Sequence, residues 1–331
     1  MTPLKLAGLG AYAPRERRSS LALDAVFQQN PGWTDEQFGI AARGVAADDE
    51  TTSVMGAEAA RRALAMAGWA DGEFDVLIGA CAVMEQPIPG TSVLIQQALG
   101  LGRSGVWAFD VNQTCLSFLT ALDVAAMGFE TGRFRRALIV SSDIASAGLD
   151  WATPASAAIF GDGAAAVCVE AGHDPEGPGV LARAFQTYGE GRDLATLRSG
   201  GTRIRIGHGL EALTDGARFR MDAHGIFKAA ARALPALIDR VLGEAGLTRE
   251  TVDVIVGHQA SAPGIEHVRR LMGGDPDRII DIFATHGNQI AASLPTVLVE
   301  AQARGLLGPG RTVLLIGTAA GVSVAAMVLR T

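Results

Sequence analysis

Cys115 in "AFDVNQTCLSF" stands where an apolar, strand-like run meets a polar elbow, and "LSFLTALDVAAMGF" beyond it repeats apolar side chains at helical spacing. A thiol at the start of a helix faces unpaired N–H groups and the positive end of the helix dipole, both of which favour thiolate over thiol. His258 follows the apolar run "VDVIVG", and Asn288 closes the glycine-containing elbow "ATHGN". The chain therefore offers a nucleophile, a base, and an amide that orients or polarises, each placed where a strand should end. That combination points to acyl transfer through a thioester. Each residue also has a plain structural reading. A cysteine among Leu116, Phe118 and Leu119 packs as a small hydrophobe, a lone histidine satisfies a buried hydrogen bond, and an asparagine after glycine belongs to a turn. Cys81, after "VLIGA", reads as packing near the pocket, and Cys168 in "AAAVCVEA" as strand core.

The elements that must position these residues occur twice. "RRALAMAGWADGEFDVLIGACA" (61–82) returns as "DRVLGEAGLTRETVDVIVGHQA" (239–260): a helix, a glycine stop, a short acidic turn and a strand. "GRSGVWAFDVNQTC" (102–115) parallels "GDPDRIIDIFATHGN" (274–288), and "RRALIVSSD" (135–143) parallels "GRTVLLIGTAAG" (310–321). Three echoes in the same order imply a duplicated α/β unit. The Gly, Pro and Asp of "GHDPEGPG" (172–179) mark a surface loop. The expected halves are thus 1–172, carrying the nucleophile, and 173–331, carrying the histidine and asparagine. Strands such as "VLLIG" and "ALIVS" need cover on both faces, which predicts two sheets packed around shared helices as one body.

The sequence has 331 residues, enough to bury a large core, with 41 glycines and only 5% aromatic residues, so its elements are expected to pack closely on small side chains. A formal net charge of -7 gives no reason to bind nucleic acid. No apolar run reaches membrane-spanning length, and "MTPLKLAGLGAYAPRERR" lacks the pattern of a signal peptide. Three cysteines, Cys81, Cys115 and Cys168, are too few for a disulfide framework and point to a reducing, cytoplasmic location. No His, Cys and Asp cluster has zinc-ligand spacing, His267 and His286 form no paired motif, and "FGDG" does not continue into a dinucleotide fingerprint. Neither a metal nor a permanently bound cofactor is expected.

The Cys115, His258 and Asn288 segments, with "FGDGAAAV" (160–167) and the "GTAAG" loop (317–321), extend over nearly the whole chain. In this order they resemble the ketoacyl synthase III branch of the thiolase superfamily. The resemblance implies an α/β, five-layer αβαβα thiolase fold, a homodimer, and sites at the junction of the halves. It implies that an acyl group from acyl-CoA loads on Cys115 and condenses, with loss of carbon dioxide, with malonyl-acyl carrier protein or malonyl-CoA. Coenzyme A and phosphopantetheine thioesters are then substrates. His258 and Asn288 would stabilise the enolate, and the backbone N–H groups of Cys115 and Ala320 would serve the tetrahedral intermediates. Ala320 stands where the family loop is glycine, and a backbone donor tolerates alanine at negative φ. Asp162 is expected to brace the "FGDG" turn.

The same resemblance aligns Trp33 with a tryptophan that stacks on adenine and Ser261 with an asparagine that contacts the pantetheine arm. Gln37 and Pro154 stand where arginines are usual. Glu85 in "VMEQPIPGTSV" resembles the glutamate that long-chain acyl-CoA condensing enzymes of olefin synthesis send across their dimer interface; its structural alternative is to cap a helix starting near Thr91 or to face water. Two other activities use the same residue types: condensation of two long-chain acyl-CoAs without decarboxylation, and a cysteine thioester hydrolase or acyl transfer enzyme. Basic groups in "FRR" (134–136), "GTRIRIG" (201–207) and "EHVRR" (266–270) are candidates to hold an acidic carrier protein.

Overall fold

Continuous runs of valine, isoleucine and leucine make strands that need cover on both faces, and the computed structural model, which describes residues 1–331, orders nine strands in one ladder. Along the chain they are β1 (Thr2–Tyr12), β2 (Val76–Gly79), β3 (Trp107–Asp110), β4 (Arg136–Asp143), β5 (Gly163–Ala171), β6 (Gly179–Thr187), β7 (Val254–Gly257), β8 (Thr312–Ala319) and β9 (Ser323–Arg330). Five helices position the site: α1 (Thr52–Ala67), α2 (Ser117–Glu130), α3 (Ala223–Glu244), α4 (Ala262–Leu271) and α5 (Ser293–Ala303). The strand order is β7-β8-β9-β6-β1-β5-β4-β2-β3.

The echo in the sequence is an echo in the ladder. β2 runs parallel to β4, β4 antiparallel to β5, and β5 antiparallel to β1; likewise β7 runs parallel to β8, β8 antiparallel to β9, and β9 antiparallel to β6. Instead of remaining two separate sheets, the sets join where Thr2 pairs with Val180 and Pro3 with Gly179. The correspondence weakens at β3. Its counterpart contributes a single bridge, Ile279 to Ile255. There the chain leaves the ladder because side chains take the next backbone donors: Gln259 Oε1 accepts from Ile282 N at 3.0 Å and Asp281 Oδ1 from Phe283 N at 3.0 Å.

Alternation of side chains along each strand sorts the core into layers. Val313 and Leu315 of β8 share one cluster with Val254 and Val256 of β7, with Val76 and Ile78 of β2, and with α2 (Phe118, Leu122) and α5 (Val297, Leu298). Leu314 and Ile316 face the other way, onto Leu234, Leu237 and Val241 of α3. On the far side, Leu77, Leu138 and Val140 meet Met55, Ala59 and Ala63 of α1. The sequence of layers is helix, sheet, paired helices, sheet, helix, as the five-layer αβαβα reading requires. Small residues permit that closeness. A Cβ on Gly8 or Gly10 of β1 would overlap the carbonyl oxygens of Ala63 and Ala59, so α1 lies directly on the strand.

Candidate active site

β3 delivers the chain to the elbow 111–116, and α2 begins immediately after it. The elbow is pinned by its own polar side chains. Asn112 Oδ1 accepts from Thr114 N at 2.9 Å, Ser117 Oγ accepts from Gln113 N at 2.9 Å, and the same hydroxyl donates to Thr114 O at 2.7 Å. Thr114 is thereby held at φ 49°, in the left-handed region that a β-branched residue seldom enters. Cys115 directly precedes the helix cap Leu116 and is half-buried, where a nucleophile at a helix start was expected.

Its protonation state departs from that expectation. Burial pushes the Cys115 thiol up to about 12, the Asp143 charge adds to the rise, and the residue's own backbone N–H opposes it only in part. Loss of hydration outweighs the helix terminus, so the resting group is a thiol. Cys81 is likewise buried, with its thiol pushed well above the usual range, and its Sγ lies 3.8 Å from Val140 O. Cys168 is buried inside β5, as a strand-core residue should be.

His258 leaves β7 with its N–H donated to Ile316 O at 2.9 Å. Burial pushes its imidazole down to about 4, so the ring is neutral at pH 7, and its Nδ1 is buried without a protein partner. Gly317 lies between histidine and elbow: a Cβ there would come within 2.8 Å of Leu116 Cδ2 and 3.3 Å of His258 Cβ. A larger residue there would push on the Leu116 and His258 side chains.

Asn288 follows Gly287, whose φ of 68° and proximity to Ile159 O, 2.8 Å from any added Cβ, again demand glycine. The asparagine turn is held by Asn288 N donating to Ile159 O at 2.7 Å and Gly161 N donating to Asn288 O at 3.1 Å, which gives "FGDG" its role. Asp162 braces the turn as expected, accepting from Ala46 N at 2.8 Å, Ser146 N at 2.9 Å and Ser146 Oγ at 2.6 Å. Asn288 Oδ1 accepts from Ile290 N at 2.9 Å, leaving Nδ2 with only a 3.5 Å bond to Ala260 O. The second N–H of that amide is left for an incoming oxygen.

Cys115, His258, Asn288 and Ala320 all line one largely apolar cavity of about 660 Å³, together with Ser261 and Glu85. Ser261 also caps α4, accepting from Gly264 N at 3.2 Å. Glu85 caps a helix, but not the expected one. Its carboxylate accepts from Ser53 N of α1 at 2.6 Å, and only its backbone N–H reaches Thr91, at 3.3 Å, because the loop after β2 bends back over α1. Trp33 is not on the cavity wall; it packs edge-on against Phe38, with centroids 5.3 Å apart. Trp151 instead carries the cations, with the Arg43 guanidinium 5.2 Å and that of Arg18 5.8 Å from its ring. Pro154 opens the one-turn helix Pro154–Ala157. In "EHVRR", Arg269 and Arg270 are both engaged by Glu266, at 2.6 and 2.7 Å.

Residues 109–189 match the family model 3-oxoacyl-[acyl-carrier-protein] synthase III, and residues 242–331 match that of its C-terminal part. A beta-ketoacyl-[acyl-carrier-protein] synthase III from Oleidesulfovibrio alaskensis is 34% identical over 329 residues, covering 98% of each chain. This chain belongs to the 3-oxoacyl-[acyl-carrier-protein] synthase III family. The crystal structure of the family member from Aquifex aeolicus covers 99% of this chain and 100% of its own, with a TM-score of 0.89 and 27% identity. Xanthomonas campestris OleA shares the fold, at a TM-score of 0.86 and 22% identity over 99% of this chain and 98% of its own.

Two titratable residues near this site lie outside what the sequence motifs point to: Asp143, whose charge acts on Cys115, and His267 on the cavity wall. Asp143 ends β4, and its buried carboxylate accepts from Ala82 N (2.8 Å), Val83 N (2.7 Å) and Ala291 N (2.9 Å). Burial pushes it up to about 7, against those three donors. The only sequence signal was its place at the end of "RRALIVSSD". His267 of α4 also reaches the cavity, edge-on to Phe227 with centroids 5.5 Å apart. No group of three or more His, Cys, Asp or Glu side chains is arranged to hold a metal, and no helix is long and apolar enough to cross a membrane.

Proposed function

We propose that this chain is a β-ketoacyl synthase III acyltransferase of fatty acid biosynthesis in which Cys115 carries the acyl group and His258 and Asn288 serve the malonyl group. In the first half-reaction Cys115 sulfur attacks the acyl thioester carbonyl. A new carbon–sulfur bond forms, the donor's carbon–sulfur bond breaks, and the cysteine proton ends on the departing thiol. In the second, the malonyl thioester loses carbon dioxide. The resulting enolate attacks the acyl-cysteine carbonyl, the bond to Cys115 breaks, and its sulfur takes up a proton.

Neutral His258 and the Asn288 amide are donors for the enolate oxygen, and the backbone N–H groups of Cys115 and Ala320 for the tetrahedral oxyanions. The observation that carries this reading is that all four residues line one cavity. Its apolar walls suit an acyl chain and a phosphopantetheine arm entering from acyl-CoA or malonyl-acyl carrier protein. The halves 1–172 and 173–331 then supply nucleophile and enolate donors respectively. A cytoplasmic homodimer belongs to the same reading. Ile88 is 86% and Met84 51% exposed on the loop carrying Glu85, and Trp107 is 48% exposed on the edge strand β3, an apolar surface that a second copy would cover.

The test is intact-protein mass after incubation with acyl-CoA, followed by malonyl-acyl carrier protein. Wild type should gain one acyl group and lose it on condensation, Cys81→Ala should do the same, and Cys115→Ala should gain none. Labelling that persists in Cys115→Ala rejects the assignment. Glu85 on the cavity wall favours a second reading, condensation of two acyl-CoAs. A β-keto product formed without any malonyl donor would select it, and free fatty acid alone would select a hydrolase.

A further inference from the structure

Every polar backbone group of Thr114 is accounted for. Its N–H goes to Asn112 Oδ1 at 2.9 Å, and its carbonyl accepts from Ser117 N at 3.0 Å and Ser117 Oγ at 2.7 Å. Its side-chain hydroxyl has no partner. Oγ1 is buried from solvent, makes no hydrogen bond, and belongs to a residue on the cavity wall directly before Cys115. Buried hydroxyls are nearly always paired, so an orphan at a reactive centre calls for an explanation.

Conformation gives a second, independent reason. Thr114 holds φ 49°, where a β-branched side chain is strained, and the Asn112 and Ser117 side chains keep it there. Strain of this kind persists where the surrounding structure over-determines it, and it clusters at functional sites. Glycine would have met the backbone requirement without strain. The chain instead carries a hydroxyl at the residue adjoining the nucleophile.

We propose that the Thr114 hydroxyl donates a hydrogen bond to Cys115 Sγ as negative charge develops on the sulfur. The proposal rests on Cys115 being the acyl acceptor. Threonine keeps its proton throughout, and the bond forms only while the sulfur is thiolate-like. That happens twice: when Cys115 attacks the acyl thioester, and when it is expelled on condensation. Other groups around the sulfur serve it poorly as it ionises. The negative charge of Asp143, at the end of β4, opposes thiolate formation, and so would Glu85 on the wall when ionised; His258 is neutral, and His267 lies on α4 of the same wall. A hydroxyl donor on the residue adjoining Cys115, turning to the sulfur as charge develops, offsets that disadvantage, as hydrogen bonds to charged groups do.

The test compares Thr114→Ala, Thr114→Gly and Thr114→Ser in the full-length protein. Single-turnover loading from acyl-CoA is followed by mass, and Cys115 alkylation by iodoacetamide is followed against pH. Thr114→Ala and Thr114→Gly should load roughly tenfold to a hundredfold more slowly, and their alkylation profiles should shift upward by about one pH unit or more. Thr114→Ser should recover most of the rate. The glycine variant removes backbone strain as a cause, because it accepts φ 49° freely. Wild-type loading by either hydroxyl-free variant overturns the proposal, as does a serine variant as slow as alanine. Failure of the wild type to form an adduct on Cys115 would instead sink the nucleophile assignment beneath it.

Discussion

The Asp143 carboxylate accepts the backbone N–H of Ala291 at 2.9 Å, tying the end of β4 to the turn three residues beyond Asn288. Its other oxygen takes Ala82 N and Val83 N, at the root of the loop that carries Glu85. One side chain thus fixes a loop of the first half and the asparagine turn of the second.

An amide cannot do the same, since Asp143→Asn must point its NH₂ at one of those N–H groups. The variant should lose roughly 1–3 kcal/mol, the cost of leaving buried donors unpaired. Condensation should suffer more than acyl loading, because Asn288 follows the turn. The pH dependence has a definite sign. With the folded value raised to about 7, the group binds more protons folded than unfolded. Its contribution is fully present below the ordinary carboxylate range near pH 4 and is lost as pH rises to 7. Denaturant unfolding should therefore show the wild-type advantage over Asp143→Asn shrinking from pH 5 to pH 8. A constant difference would contradict the raised value.

His258 has the opposite linkage. With its folded value lowered to about 4, the unfolded chain binds the proton first. Stability should fall as pH drops from about 6.5 towards 4, and His258→Ala should lose that slope. The ring stays neutral across the neutral range, so malonyl decarboxylation should show no inflection from His258 between about pH 5.5 and 8. Loss of the donor should slow this step about a hundredfold, or ~3 kcal/mol, with little effect on loading. Decarboxylation at wild-type speed by both His258→Ala and Asn288→Ala would end the donor assignment.

What the sequence made legible was periodic or punctuated. "VLIG" and "VIVG" read as buried strands because they are short, β-branched apolar runs closed by glycine, and the elbow at Cys115 showed in the switch from strand to helical spacing. Gly287 was legible as an elbow for the same reason. Asp143 and Thr114 were not, because their significance depends on burial and on partners far along the chain: 60 residues separate Asp143 from Val83, and 148 from Ala291. Trp33 was assigned by alignment with a family position alone; its edge contacts with Phe27 and Phe38 depend on the fold and could not be read from the sequence. The thiol state of Cys115 was misjudged because helix-terminus electrostatics can be read locally whereas desolvation cannot.

Glu85 separates two roles by measurement. Because its carboxylate caps α1 through Ser53 N, Glu85→Ala should destabilise the fold by ~1 kcal/mol, and Glu85→Gln, which keeps an acceptor oxygen, by less. Malonyl-dependent condensation should survive both changes. If Glu85→Gln keeps stability but abolishes β-keto product, the carboxylate is acting in the chemistry and the two-acyl reading gains ground.

Primer length follows from the wall rather than from the nucleophile. Leu149, Leu197, Phe219, Met221 and Phe227 line the same cavity of about 660 Å³ as Cys115, so water left beside a short acyl chain would meet mostly apolar side chains. Water left beside a short chain gains nothing from such walls, whereas each methylene that displaces it contributes about 0.8 kcal/mol, roughly fourfold in kcat/KM, until the cavity is full. Acyl groups longer than acetyl should therefore be preferred. The measurement is a matrix of acetyl, branched, medium and long acyl-CoA primers against malonyl-acyl carrier protein and malonyl-CoA, read as kcat/KM for β-ketoacyl product. A rise with chain length followed by a plateau fits an open cavity. A strong preference for acetyl-CoA with malonyl-acyl carrier protein would overturn the size prediction.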